Sequence, residues 1–384
     1  MEYLDYNATT PVDPAVFEAM LPYLSGGIAG AYGNPSSSYE LGHRTHDAVA
    51  IAREQVARLL GCPPETIVFT GGGSEANNLA LKGVAERGTR RHLIISAVEH
   101  PAVLEVCRYL ERHGFRVTVV PVDSTGLVDP GDVAKAIGRH TLLVSVMHAN
   151  NEVGTIQPIR EIAEAAHSQG ALVHTDAAQS VGKISTRVGD LGVDLLTVAG
   201  HKLYAPKGVG CLYVRPGLEL EPLVHGASQE SGRRAGTENV AYVVGLGAAA
   251  EIAARQLAVE EPRLCGIRDR LHARLAESAG PLKLNGHPEH RLPNTLNVSF
   301  LGVDGRGLLA AVPEIAASLG SACHSDRVEP SPVLRAMGVS DAAALGAVRL
   351  SLGRYSTDEG VELAAAALIR GARSLRGQAA EVGG

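Results

Sequence analysis

Asp194-Leu195-Leu196-Thr197-Val198-Ala199-Gly200-His201-Lys202-Leu203-Tyr204-Ala205-Pro206-Lys207-Gly208 is the stretch on which the reading of the chain turns. An apolar run carries the backbone inward and stops at Ala199-Gly200. A lysine then follows directly after a histidine, and Pro206 and Gly208 break any regular element beyond it. A lysine at the inner end of a buried strand must neutralise, pair or react. Desolvation lowers its pKa, and a neutral amine is the nucleophile that forms Schiff bases. An isolated His-Lys pair is more often a surface turn, because lysine is seldom buried. The flanking chain argues for the buried alternative.

From about residue 60 the sequence alternates short apolar runs with longer helical patterns. Strands are expected at 66–70, 92–96, 116–122, 141–147, 172–176, 194–198 and 208–214. Helices are expected between them at 74–87, 101–113, 129–137 and 159–169. Such alternation predicts an α/β domain with a mainly parallel sheet covered on both faces. Ligands then gather at the carboxyl ends of the strands. A helical pattern follows Thr237 through Ala254. Beyond it come a helix at 262–279, strands at 294–300 and 348–352 and a helix at 358–372, which predict a smaller α+β domain. The expected division gives residues 14–255 to the large domain, and 1–13 with 256–384 to the small one.

Composition narrows the class. The 384 residues are 45% hydrophobic and 20% charged, ordinary for a globular protein with a sizeable core. The 35 basic and 41 acidic residues are interspersed, with a net charge of −6, so neither nucleic acid nor an anionic membrane is an expected partner. The longest apolar run, Val240 to Ala250, is about half a membrane span. The first residues lack the apolar core of a signal peptide, so a cytoplasmic enzyme is expected. The five cysteines, Cys62, Cys107, Cys211, Cys265 and Cys323, contain no CxxC pair. Their spacing fits no metal motif, and no metal site is expected.

Several strand exits carry polar groups. Gly71-Gly72-Gly73-Ser74 follows a strand and opens a helix. Glycines there let backbone N–H groups approach an anion, to which the helix start adds its positive end. Ser74 either caps that helix or binds a phosphate. His100 ends the next strand ahead of Pro101, as a cap or as a cleft residue. Asn150 and Asn151 lie in another exit loop, where a plain turn is the alternative. Asp176 ends an apolar strand, either as a helix cap or as a buried acid in need of a cationic partner. Combined with Lys202, these groups meet the needs of pyridoxal phosphate: a phosphate cradle, an acid for the ring nitrogen, a flat group against the ring and an amine for the aldehyde.

With those motifs in hand, the chain resembles the cysteine desulfurases of the class V aminotransferase-like family, which have the PLP-dependent transferase fold type I. It is also similar to selenocysteine lyases. The likeness runs from Leu4-Asp5-Tyr6-Asn7-Ala8-Thr9-Thr10-Pro11 to Ser351-Leu352-Gly353-Arg354. The resemblance implies that Lys202 forms the Schiff base with pyridoxal 5'-phosphate and that His100 stacks on the ring and moves protons. It pairs Asp176 with the ring nitrogen and Gln179 with the ring hydroxyl. Gly73, Ser74 and His201 would hold the phosphate, joined by Thr237 from the second subunit of a homodimer. Asn151 and Arg354 would bind the substrate carboxylate. Cys323, in Gly320-Ser321-Ala322-Cys323-His324-Ser325-Asp326, would be the nucleophilic thiol. Ala199 departs from the family, where many members carry a serine on the phosphate. His324 leans toward the selenocysteine lyases, whereas the length of the segment from Cys323 to Ser331 leans toward long-loop desulfurases.

The implied activity converts L-cysteine to L-alanine, with a persulfide on Cys323 that is passed to a sulfur-acceptor protein. Iron–sulfur cluster assembly, tRNA thiolation and DNA sulfur modification are the family's destinations for that sulfur. The rival readings are a selenocysteine lyase, an ordinary PLP aminotransferase, and a non-catalytic protein that docks a sulfur acceptor.

Overall fold

The computed structural model describes residues 1–25, 30–319 and 330–382. Its strands are β1 (Glu2–Tyr3), β2 (Ile67–Thr70), β3 (His92–Ser96), β4 (Arg116–Val120), β5 (Thr141–Ser145), β6 (Leu172–Asp176), β7 (Leu195–Ala199), β8 (Gly210–Val214), β9 (Leu282–Asn285), β10 (Thr295–Phe300), β11 (Ile315–Ala316) and β12 (Ala347–Ser351). Seven of them form one sheet in the order β2-β8-β7-β6-β5-β3-β4. Every residue of β2, β3, β5, β7 and β8 is buried. That explains why these strands read as unbroken apolar runs rather than as alternating ones. The α/β class and the mainly parallel sheet expected from the sequence are both present.

The exception is β8, antiparallel to both β7 and β2. Its connection from β7, residues 200–209, is too short for a parallel crossover and must return the chain alongside. This return carries Lys202. The first strand of the stretch is pinned at its outer end by Asp194. That buried carboxylate accepts the Val173 N–H at 2.7 Å and pairs with Arg215 at 2.7 Å and His167 at 2.9 Å.

A second sheet, β12-β10-β9, is antiparallel, and β1 pairs with β11 in parallel. The N-terminal segment packs with the end of the chain: Leu4 lies in the core formed by Leu296, Phe300 and Leu350. The Tyr6 N–H donates to the Ser351 carbonyl at 3.2 Å.

One helix, Val240–Ser278, replaces the two expected from the sequence. Pro262 stays inside it, and the domain boundary expected near residue 255 falls within it. Interior proline costs a helix about 3 kcal/mol. Val243, Leu246 and Ala250 of this helix belong to the core beside the large sheet, and Leu264, Ile267, Leu271 and Leu275 to the core beside the small one. Burying each large side chain contributes about 1.5–3 kcal/mol. Four of them after Pro262 outweigh the proline. By length and composition the helix would also cross a bilayer, further than the Val240–Ala250 run implied, but 44% of that window is buried inside the protein.

The glycine turn after β2 touches β8. A β-carbon on Gly210 would stand 2.5 Å from the Val198 carbonyl oxygen and 2.9 Å from Gly72 Cα. Both are backbone atoms that cannot swing aside. Gly210→Ala should therefore destabilise the protein by about 1–3 kcal/mol. Thermal melting checks this, and a midpoint equal to that of the parent would count against the close approach.

Candidate active site

The carboxyl ends of β3, β5, β6 and β7 border a cavity of about 560 Å³. Such a volume suits a small organic ligand. Lys202 enters from the turn after β7. Its Nζ donates to the Asn7 carbonyl at 2.5 Å and lies 3.4 Å from the Ala8 carbonyl. Burial, and next the Arg349 guanidinium, bring the amine down to about 8, against the opposing charges of Asp176 and Asp5. Near neutrality an appreciable fraction of the amine is thus unprotonated and nucleophilic.

Asp176 closes β6 and lines the same cavity. One carboxylate oxygen accepts Asn77 Nδ2 at 2.7 Å and the other the Ala178 N–H at 2.9 Å. Of its two alternatives it is the buried acid: no helix begins after it, and the bond from Ala178 closes a turn. His100 meets both of its alternatives. Its Nδ1 accepts the Ala102 N–H at 3.1 Å and so caps the helix Pro101–Glu111, while the ring lines the cavity. Burial lowers the pKa of His100, with Asp176 opposing and Lys202 reinforcing that shift.

Gly73 and Ser74 line the cavity at the start of the helix Gly73–Arg87. Gly72, not Ser74, is the cap residue, and no side chain caps this end. The Ser74 hydroxyl is therefore not spent on capping. First-turn N–H groups have no intrahelical acceptor. Gly72 has φ +144°, a conformation that favours glycine, and a β-carbon there would meet nothing within 4 Å. The turn is thus an open backbone cradle. Ala199 faces it, with its β-carbon 3.1 Å from where one on Gly73 would stand. His201 lines the cavity too, its Nδ1 3.2 Å from the Thr9 hydroxyl. Burial, and then the charges of Lys202, Lys207 and Lys183, take its ring down to about 4. It stays neutral at pH 7.

Gln179 and Asn151 complete the residues that the structure brings together. Two expected ones are placed elsewhere. Thr237 lines a separate cavity of about 180 Å³ beside Gly71 and Gly208. Arg354 does not line the main cavity. Its guanidinium pairs with Asp13 and lies 4.4 Å above the Tyr204 ring. Its backbone N–H donates to the Tyr204 hydroxyl at 2.6 Å. Asp13 lies 341 residues away, and Arg354 also lines a small cavity together with Lys202. Cys323 and His324 lie outside the described residues.

The structure adds residues that the sequence reading missed. Asn7 donates from Nδ2 to Thr295 at 2.8 Å and to the Asn151 carbonyl at 3.3 Å, and its own carbonyl accepts Gln179 Nε2 at 3.0 Å and Lys202. Arg349, on β12, donates to the Asn151 carbonyl at 3.0 Å and to Asp5 at 2.6 Å. Its Nε is buried with no hydrogen-bond partner among the described residues. Asn7 belongs to the first of the two segments that carry the family likeness, which was the available signal; Arg349 lies just before the second. Asn77 was also missed; its Oδ1 is a buried acceptor without a partner among the described residues.

This donor set fits pyridoxal phosphate. There is an open N–H cradle with a free hydroxyl for a phosphate, an acid held by an amide, a neutral imidazole, and a depressed amine. The four described cysteines are poor competitors for a nucleophilic role, since burial raises the thiol pKa of each, Cys107 to about 12.

A profile of the family described as Aminotransferase class-V matches residues 2–363. The chain is 47% identical over 361 residues to a Dictyoglomus turgidum protein named cysteine desulfurase IscS, covering 93% of this chain and 91% of that one. It superposes on a solved structure titled NifS-like protein with a TM-score of 0.89 at 39% identity, covering 97% and 99% of the two chains. A structure titled SspA in complex with cysteine matches with a TM-score of 0.82 at 37% identity, covering 93% and 100%.

Glu99, next to His100, is buried behind the cavity. It accepts the Ser96 hydroxyl at 2.5 Å and the Met147 N–H at 2.8 Å. Burial raises it to about 8, with those two hydrogen bonds opposing and Asp176 adding to the rise. The folded protein thus holds this proton more tightly than the unfolded chain does. Stability from this group is full below pH of about 4 and is lost as pH rises through about 8. Glu99→Gln should remove that slope. Melting temperatures across pH 5 to 9 test this, and parallel curves for variant and parent would refute it.

Proposed function

Because this chain belongs to the class-V aminotransferase family, and within it to the cysteine desulfurases, we propose that it takes sulfur from L-cysteine, leaves L-alanine, and holds the sulfur as a persulfide on Cys323. One observation carries the reading: Lys202, Asp176, His100 and the Gly71–Ser74 turn face a single cavity. Proteins of this family are pyridoxal phosphate enzymes, and the residues that would hold the cofactor here are those four features with Gln179 and His201. Bound pyridoxal phosphate supplies an aldehyde for amines and a ring that takes up electrons from the substrate carbon.

The chain's own groups do the rest. Arg354, which lines a small cavity together with Lys202, is the proposed partner for the substrate carboxylate, and Arg349 is the alternative. Arg349 is held against Asn151, lies within electrostatic reach of Lys202, and keeps an N–H to spare. The fork of either is suited to a carboxylate. Lys202, as a free amine, takes the Cα proton at Nζ. The Cys323 thiolate attacks the substrate sulfur. An S–S bond forms, the C–S bond breaks, and its electron pair stays with the carbon fragment, which leaves as L-alanine after protonation. A second protein then accepts the outer sulfur.

A homodimer is part of the proposal, with Thr237 reaching the phosphate of the neighbouring subunit. Phe17, Leu21, Leu24, Tyr32 and Tyr39 support it as apolar side chains exposed along one N-terminal region. His324 beside Cys323 favours a second reading, a selenocysteine lyase.

Two sets of variants test the proposal. Lys202→Ala should abolish turnover and the borohydride-reducible link to the cofactor. Cys323→Ser should bind the cofactor but release no sulfide from L-cysteine, and mass spectrometry of the parent should find one extra sulfur on Cys323. Sulfide release by Cys323→Ser at the parental rate would remove the persulfide step, whereas selenide release alone would favour the lyase. Arg354→Ala should raise the KM for L-cysteine roughly 100-fold and Arg349→Ala far less. The reverse order would give the carboxylate to Arg349.

A further inference from the structure

One buried amine has no part in this chemistry. Lys183 follows Gln179 by four residues and is only 9% exposed. Its Nζ donates to Gln179 Oε1 at 3.0 Å and, more weakly, to Asn7 Oδ1 at 3.4 Å. Both partners are amide oxygens. Lys183 and Lys202 line the same small cavity of about 30 Å³, on the far side of Lys202 from the main one. Burial, then the charges of Lys202 and Arg349, push the Lys183 amine well below its usual range. Burying a lysine that meets no carboxylate among the described residues is costly, so its retention needs a reason.

The reason lies in the amide it holds. Gln179 has one polar end of each kind, and both are engaged. Oε1 accepts from Lys183, and Nε2 donates to the Asn7 carbonyl at 3.0 Å. Turning the amide over would take from Lys183 the oxygen it donates to and set Oε1 against a carbonyl. Two neighbours therefore fix which end is which, which is how an amide is assigned. Nε2 has two hydrogens. One is used on Asn7, and the other is what Gln179 can offer the main cavity that it lines.

We infer that Lys183 is a positioning residue that locks Gln179 as a hydrogen-bond donor toward the main cavity, so that the site selects a ligand whose ring carries an anionic oxygen. This rests on the reading of the cavity as a pyridoxal phosphate site. The Lys183 side chain sets the polarity of a contact that it does not itself make. Methionine at 183 would fill the space without a donor. Gln179 could then present its carbonyl to the cavity, and an acceptor facing an anionic oxygen repels it.

The test uses apo-protein and reads equilibrium binding by fluorescence, independent of turnover. Pyridoxal phosphate is compared with its analogue that lacks the ring hydroxyl, so that general loosening of the fold divides out of the ratio. The parent should prefer pyridoxal phosphate by about tenfold, the size of one charge-assisted hydrogen bond. Lys183→Met and Gln179→Ala should each cut that preference to about twofold, and the double variant no further. Gln179→Glu, whose carboxylate can pair with Lys183 and so keeps a folded site, should reverse the preference. A Lys183→Met protein with the parental ratio, beside a Gln179→Ala protein that has lost it, overturns the role of Lys183. If Gln179→Ala also keeps the ratio, the proposal falls with the Gln179 contact. If the parent binds neither compound, the cofactor reading itself has failed.

Discussion

The carbonyl of Asn7 receives the amine of Lys202, and the geometry of the site depends on that contact. A lysine amine on a flexible four-carbon stem could point almost anywhere within the cavity. It is held because Asn7 is itself held from several directions. Its N–H donates to Ser351 at 2.9 Å, and its Oδ1 accepts Asn294 Nδ2 at 3.0 Å. Gln179 and Asn151 meet the same residue. Asn7 thus joins the turn after β7, the exits of β5 and β6, and the antiparallel sheet. A fully engaged polar network of this kind is stiff, because every broken bond leaves a buried group unsatisfied.

The charges around the cavity follow a related logic. Lys202, Lys183 and Arg349 crowd one side; Lys202 and Arg349 depress Lys183, and Arg349 depresses Lys202. Asp176 and Asp5 offset part of that field. Glu99 would add a third negative charge, but burial keeps its proton on near neutrality. The acid behind the cavity is neutral while the acid facing it is available to pair with a cation. Two nearby carboxyl groups of one chain are set to different tasks by their surroundings.

Much of this was legible in the sequence where chemistry is local. Apolar runs marked the strands, and polar residues at their ends marked the site, because a parallel sheet buries its strands and opens at their carboxyl edge. Asp176, His100 and Lys202 were readable for that reason. Other features depend on partners far away in the chain. The pairing of Arg354 with Asp13 could not be read from the sequence, and neither could the reach of Arg349 to Asn151. Pro262 signalled a helix end, and only the packing of Leu264 and Leu271 against a distant sheet overrules it. The direction of β8 was hidden because a run of apolar residues carries no arrow.

The reach of Asn7 also has a consequence for how the protein is made. Asn7 leaves the ribosome 344 residues ahead of Ser351. The large sheet can collapse while synthesis continues, yet its lysine lacks a fully anchored acceptor until the last strand of the small sheet has emerged. Nascent chains that stall before that point would display the cradle and the amine without the frame that aims them.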